Sequence, residues 1–493
     1  MKKIIFKYLP LFISGAILTL AFAPFRLDFV AFISLAVLFY ILNNSKSFKE
    51  TFAISTTFGI GFFSTSISWV YISINLFTQS MAAGLIAAIA LVILLSFLQL
   101  IPFGIFTYWL TNKSSKCVKL MSYPALWTLF EYVRGNLLWG GFPWASLGYS
   151  QTETSLIWYS NIGGVYLTTY ITAMIATIVA LCISSKNIKQ SITSIFVIFF
   201  IFLGGHAINL NRPDITSEQQ QNVALVQGDF IQGFKWDANN FLAMKAYYKK
   251  IAEKNKDTLI ILAENALPTY RQNISNYLKQ LNDITIKNHS AVIIGSLNID
   301  KYNRIYNSSI VVGDGSGTYN KHHLVPFGEY FPISFFGYVD SVGLSIMSQG
   351  NAIQPVMTAF GKPFANFICY DVGYPDQVRN QLQGSEFISV ISDDSWFGDS
   401  IARDQQLQIS QVRAIENYRY LLATTSNGIT AVIKPDGSIE SELAKDTRGV
   451  LKAKIYYLTD ETIWFKIGMS LIWILISIGV IVPLALNILK KIK

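Results

Sequence analysis

Charge is what this chain has least of. Only 14% of its 493 residues are charged, against about 25% in soluble domains. Hydrophobic residues reach 52% and the mean hydropathy is +0.38. A disordered chain and a wholly soluble one are both excluded. What remains is a membrane protein with a soluble part. Length suggests about three domains at roughly 150 residues each, fewer if spans merge into one bundle. Cysteine is scarce too: Cys117, Cys182 and Cys369 are too few for a disulfide scaffold. Only Cys369 lies in the polar stretch, so it has no partner there. No internal repeat or low-complexity run is evident.

Acidic residues are nearly missing outside one region. From Arg212 to Glu461 there are 23 Lys/Arg and 26 Asp/Glu. The remainder holds 16 basic residues and 4 acidic ones. The net charge of +9 therefore sits beside apolar segments, as flanks of membrane spans require, and does not point to nucleic acid.

A span needs about 20 apolar residues. Eight candidates are read: Tyr8 to Phe25, Phe29 to Ser45, two within the uncharged stretch Thr51 to Asn112 with a break near Asn75 to Ser80, Leu120 to Leu138, Ser155 to Ser185, Ser191 to Asn211, and Ile467 to Leu489. Ala21-Phe22-Ala23 fits a signal-peptide cut. A second apolar stretch follows almost at once, so a retained helical hairpin is the simpler reading. With the N-terminus inside, Lys46, Lys49, Lys113, Lys116, Lys119, Lys186, Lys189 and the terminal lysines all fall in cytoplasmic loops. Arg26 and Arg134 fall outside. This positive-inside pattern places the polar region on the far side, the periplasm of a bacterium. The expected domains are residues 1–211 with seven spans, 212–462 as a soluble domain, and 463–493 with the last span. Leu120 to Leu138 carries Glu131 and Arg134, which are read as an interfacial ion pair, with headgroup contact as the functional alternative. Trp139-Gly140-Gly141-Phe142-Pro143-Trp144 is read as an interfacial aromatic belt, or else as part of a substrate entrance.

In the polar region short apolar runs alternate with amphipathic stretches. Strands are expected at Asn222 to Gln227, Thr258 to Ala263, Ala291 to Leu297, Ile305 to Val312, Phe364 to Ile368 and Phe387 to Ser392. A hairpin is expected around Asn427-Gly428. Helices are expected at Asn239 to Lys254, Ile274 to Asn288 and Arg403 to Tyr418. That order suggests an α/β fold, a sheet covered by helices on one face. Three polar residues stand where apolar strands end: Glu264, Lys321 and Cys369. A thiol nucleophile, a carboxylate base and an ammonium for an oxyanion make a chemically complete set. A nearby Lys is also expected to lower the thiol pKa. Spacing alone is weak, because a lone Cys is more often a small core hydrophobe. Gly313-Asp314-Gly315-Ser316-Gly317 lacks the residues of a phosphate loop and is read as a hairpin turn. His322-His323 has no third ligand, so no metal site is expected. Asp393, Asp394, Asp399 and Asp404 are read as caps and turns.

Local context sharpens this. Tyr319 to Tyr330 resembles the lysine region of the nitrilase superfamily, Leu262 to Pro268 its glutamate region, Ile368 to Asp371 its cysteine region, and Asp394 to Gly398 the stretch after it. Seven spans before the domain and one after, with Lys235-Trp236-Asp237, resemble the membrane-embedded apolipoprotein N-acyltransferase family over essentially the whole chain. Two departures stand out: Leu262-Ala263 precedes Glu264 where the family usually has Trp-Pro, and Asp371 stands where it usually has Glu.

The resemblance implies a four-layer αββα nitrilase-like domain and a two-stage acyl transfer without metal or soluble cofactor. Glu264 is the implied base, Cys369 the nucleophile and Lys321 the oxyanion holder. The implied donor is a membrane phospholipid. The implied acceptor is the α-amino group of an apolipoprotein's diacylglyceryl-cysteine. Glu329, Tyr370 and Asp371 are expected to line the pocket, and Trp236 and Trp396 to sit on gating loops. Rival readings are a membrane-tethered amidase with the same triad, and a transporter or receptor with a ligand-binding domain. Spans nearly empty of charge argue against the latter.

Overall fold

The computed structural model describes residues 2–112, 114–185, 187–212, 215, 219–230, 238–331 and 347–492. Lys235, Trp236 and Asp237 lie outside the described residues. The chain forms two compact units. One comprises Met1–Arg212, Phe397–Gln408 and Thr462–Lys493; the other comprises Pro213–Trp396 and Ile409–Glu461.

The first unit is helical. Among the described residues four helices are long and apolar enough to cross a membrane: Met81–Thr111, Ser155–Ser185, Ile188–Leu210 and Ser470–Ile488. Phe48–Ser66 and Trp69–Thr78, bent by 56° at their junction, make a fifth if taken as one span. Four or five is fewer than the eight expected. Tyr8–Ala21 and Phe29–Asn43 are apolar but shorter, and Lys116–Asn136 carries two lysines besides Glu131 and Arg134. Close packing needs small residues here, because apolar side chains gain nothing over lipid. A Cβ on Gly15 would meet the carbonyl oxygen of Phe58 at 2.3 Å, and one on Gly61 would meet that of Phe12 at 2.3 Å.

Glu131 and Arg134 are enclosed by the protein and face no headgroup. They are 1% and 0% exposed. Glu131 accepts the Leu147 N–H at 2.8 Å and the Thr169 hydroxyl at 2.6 Å. Arg134 donates to the carbonyl oxygens of Phe142, at 2.7 Å, and Trp144. A buried charge persists only with such partners. The pair therefore pins the loop that follows its own helix. The aromatic loop is likewise no surface belt in its second half. Trp144 is 2% exposed and packs with Trp69, Phe142 and Phe397 at centroid distances of 5.3, 6.5 and 6.0 Å. Its indole N–H donates to Gln405 at 2.8 Å.

The second unit has two sheets. Its strands are β1 (Gln220–Gln227), β2 (Thr258–Leu262), β3 (Leu267–Tyr270), β4 (Ala291–Ile299), β5 (Ile305–Gly313), β6 (Gly315–Ser316), β7 (Thr318–Asn320), β8 (Met357–Ala359) and β9 (Lys362–Ile368). There follow β10 (Ile388–Ser392), β11 (Leu421–Thr425), β12 (Thr430–Ile433), β13 (Ile439–Leu443) and β14 (Gly449–Tyr456). The first sheet runs β14-β1-β2-β4-β5-β7, with β3 beside β4; the second runs β13-β12-β11-β10-β9-β8-β6. The sheets face each other: Asn366 donates to Ser309 at 2.9 Å, Thr425 to Gln227 at 3.3 Å, and Tyr319 meets Phe367 edge-on.

Helices Ala238–Lys254 and Ser275–Lys287 cover the outer face of the first sheet. Met244, Tyr248, Tyr277 and Leu281 pack there on Ala224, Val226, Ile260, Leu262, Val292 and Ile294. Burial on both faces is why β1, β2 and β4 read as unbroken apolar runs instead of alternating. Each of the larger apolar side chains contributes about 1.5–3 kcal/mol. The strands and helices expected in this region are present within a few residues of their predicted ends, and β11 and β12 pair around Asn427-Gly428. The glycine turn at Gly313 does more than close a hairpin. It carries the chain from β5 in the first sheet to β6 in the second and back to β7.

Candidate active site

Glu264 lies two residues beyond β2, Lys321 directly follows β7, and Cys369 directly follows β9. The first two leave one sheet and the third leaves the other. Cys369 has φ +51°, the left-handed region that a residue with a side chain seldom adopts. Such strain is held only where the surroundings fix it, and it collects at functional sites.

Lys321 is 2% exposed and Glu264 5%. The Lys321 ammonium lies 3.6 Å from Glu264 Oε1, and 3.0 and 2.9 Å from the two Glu329 oxygens. Asn307, on β5, ties the carboxylates together: its Nδ2 donates to Glu264 Oε1 at 2.6 Å and to Glu329 Oε1 at 3.0 Å. Its carbonyl accepts the Lys321 N–H at 2.8 Å. The other Glu264 oxygen accepts the Asp393 N–H at 2.9 Å, and the other Glu329 oxygen accepts the Val325 N–H at 2.8 Å. Each carboxylate thus has both oxygens fixed.

Burial works against the charge on Lys321, but Glu329, Glu264, Cys369 and Asp371 outweigh it and hold the ammonium charged. Burial raises the Glu264 pKa, with Glu329 and Asp393 adding to it, while Lys321 and Asn307 oppose. A carboxyl group so raised is better matched to proton exchange near neutral pH. For Cys369, burial and the Glu264 charge push the thiol well above its ordinary range. Lys321 pulls it down, as the sequence suggested, but the sum goes the other way. The surroundings of Cys369 therefore favour the thiol form over the thiolate.

Asp371 is fully buried. It accepts the Tyr319 hydroxyl at 3.0 Å, the His323 N–H at 2.7 Å and the Ile368 N–H at 3.2 Å. It thereby binds the lysine segment to the cysteine turn, work that a short carboxylate performs. Burial pushes its pKa up to about 7 against the pull of Lys321 and these donors. Tyr370, 8% exposed, meets Tyr374 edge-on at 5.4 Å, and His323 stacks on Tyr374 at 3.5 Å. Trp396 is 40% exposed. Asp393 does serve its turn, accepting from the Ser395 hydroxyl at 2.7 Å, and it also supplies the N–H for Glu264. Among the described residues no cluster of three His, Cys, Asp or Glu could hold a metal. Asn307 escaped the sequence reading. Its one signal was the polar run Asn307-Ser308-Ser309 inside an otherwise apolar strand.

Comparison with known proteins gives this arrangement a lineage. Residues 222–460 match the model for carbon-nitrogen hydrolases, and residues 14–178 match the model for the apolipoprotein N-acyltransferase N-terminal domain. A Coxiella burnetii apolipoprotein N-acyltransferase is 35% identical over 94% of this chain and 98% of its own. The chain belongs to the apolipoprotein N-acyltransferase family. A member from Shewanella oneidensis is 33% identical over 94% of this chain and 92% of its own; one from Azotobacter vinelandii is 32% identical over 90% and 88%. Membership makes the chain an acyltransferase enzyme with a nitrilase-type α/β unit. The helical unit with its apolar helices belongs to the family pattern as well, since the N-terminal match covers most of it.

Proposed function

We propose that this enzyme N-acylates the N-terminal diacylglyceryl-cysteine of apolipoproteins, taking the acyl chain from a membrane phospholipid through a thioester on Cys369. The observation that carries the reading is the buried Glu264–Lys321–Glu329 cluster, of which Glu264 and Lys321 act on the Cys369 thiol. Glu264 takes the thiol proton as the sulfur attacks the ester carbonyl. Lys321 faces the oxyanion with its charge already in place, so little reorganisation is needed. The intermediate collapses, the proton passes from Glu264 to the departing lysophospholipid oxygen, and the acyl group stays on sulfur. The acceptor amine then attacks the thioester, Glu264 takes its proton, and the thiol is restored as the amide leaves. Dividing one difficult step into two is the logic of covalent catalysis, with ping-pong kinetics.

Glu329 positions Lys321, while Tyr370 and Asp371 belong to the pocket wall. Trp236 and Trp396 gate entry. In this reading eight spans hold the enzyme in a bacterial inner membrane, the nitrilase-type unit facing the periplasm. That setting leaves acyl chains in lipid, where each CH₂ withdrawn would cost about 0.8 kcal/mol.

Intact mass after incubation with phospholipid vesicles tests the proposal. An acyl adduct is expected, absent in Cys369→Ala and greatly slowed in Glu264→Gln. An adduct of equal size in Cys369→Ala ends the assignment. Release of free fatty acid with no transfer to an amine would make the enzyme a hydrolase instead.

A further inference from the structure

We propose that Ser392 is a positioning residue for the Cys369 sulfur, its single hydroxyl hydrogen shared in turn between Asp394 and the thiolate. The inference rests on the reading of Cys369 as nucleophile. Strands β9 and β10 run parallel with Ile368 opposite Ile391. One residue further on, Cys369 follows β9 and Ser392 ends β10, so the two stand side by side, and the Ser392 side chain favours the ionised sulfur. Ser392 is 1% exposed, and its carbonyl is fixed by the Ser426 N–H at 3.0 Å. Its hydroxyl donates to Asp394 Oδ1 in a short bond. Asp394 is also 1% exposed and is seated over Gly428, where a Cβ would come within 1.9 Å of Asp394 Oδ2. Only a residue without a side chain leaves that carboxylate its place.

A hydroxyl has one hydrogen to give. While the sulfur is a thiol, that hydrogen goes to Asp394 and the hydroxyl oxygen faces the S–H. Once Glu264 has taken the thiol proton, the sulfur becomes a second anion beside the hydroxyl and competes with Asp394 for its hydrogen. The thiol proton ends on Glu264; Ser392 keeps its own. The groups facing the sulfur are Glu264, Lys321 and Asp394. Glu329 and Asp371 act through Lys321, and Asp393 faces Glu264.

The test is the pH dependence of Cys369 alkylation by iodoacetamide, read at that peptide by mass spectrometry on the full chain in detergent micelles. It is run beside the rate of acyl-adduct formation from phospholipid. Ser392→Ala should move the alkylation profile to higher pH and slow adduct formation about tenfold, the usual effect of losing a hydrogen bond to a charged group. Ser392→Thr, which keeps the hydroxyl, should restore both. Asp394→Asn removes a negative charge and should move the profile to lower pH. Opposite shifts are not what general loosening of the fold produces. An unshifted profile in Ser392→Ala, or both variants shifting the same way, overturns the inference. An adduct that persists in Cys369→Ala marks a failure of the nucleophile assignment instead, so the two failures are told apart.

Discussion

Replacing Asn307 by alanine separates the two carboxylates that Asn307 now joins. It removes the 2.6 Å bond to Glu264 and the 3.0 Å bond to Glu329, while the backbone bond to Lys321 survives. A hydrogen bond to a charged group contributes about 1.5–3 kcal/mol. Asn307 favours the ionised form of Glu264, so its loss should raise the pKa of that base further. At 1.36 kcal/mol per unit, the rise is about one to two units. A base with a higher pKa is protonated over more of the neutral range. The rising acid limb of the pH–rate profile therefore moves to higher pH. The assay is single-turnover acylation of Cys369 by phospholipid, followed by intact mass from pH 5 to 9. At neutral pH the rate should fall about 10- to 100-fold, and it should recover as pH rises. A thermal melt in the same detergent checks that the fold survives. Asn307→Asp should be worse, because a third carboxylate beside Glu264 pushes its pKa the same way. An unshifted acid limb in Asn307→Ala, with the fold intact, would refute the account of how Glu264 is held.

Three further outcomes are expected. Arg134→Ala strips donors from the carbonyl oxygens of Phe142 and Trp144. It should destabilise the helical unit by on the order of 3 kcal/mol, seen as a lower Tm in micelles; an unchanged Tm would return Arg134 to a surface role. Gly61→Leu drives a side chain into the Phe12 carbonyl and should cost about 1–3 kcal/mol, again read as Tm, whereas Gly61→Ala should cost less. Burial, aided by His322, pushes His323 down to about 3, below its ordinary 6.5. Its stabilising effect is then complete above the unfolded value and is lost as pH falls toward 3, at roughly 1.36 kcal/mol per unit. His323→Phe keeps the stack on Tyr374 and should melt with less sensitivity to acid over that window. An identical pH dependence of Tm would mean that the ring is solvated.

The strands were legible because two covered faces demand uninterrupted apolar sequence, as in Val223 to Val226 and Leu259 to Leu262. The ends of such runs exposed Glu264 and Cys369 as polar residues out of place. Asn307 was hidden because it sits inside a strand, where one polar side chain resembles ordinary alternation until its partners are known. The enclosure of Glu131 and Arg134 went unread for a related reason. Hydropathy registers a charge but is blind to the carbonyl and amide groups that solvate it, and those came from residues 142 to 169. The thiol pKa went astray because one favourable neighbour, Lys321, was weighed without the burial around it.

The strand orders carry a mechanical consequence. β7 and β6 are terminal strands on one side of the two sheets, β14 and β13 on the other, and at each side the chain steps directly from sheet to sheet. The sandwich is thus laced along both seams, like a sleeve and not a book. Its halves have no free hinge about which to gape, and sliding one over the other would shear both lacings at once. The lacing therefore resists change in the spacing between the sulfur on one half and the acid–amine pair on the other.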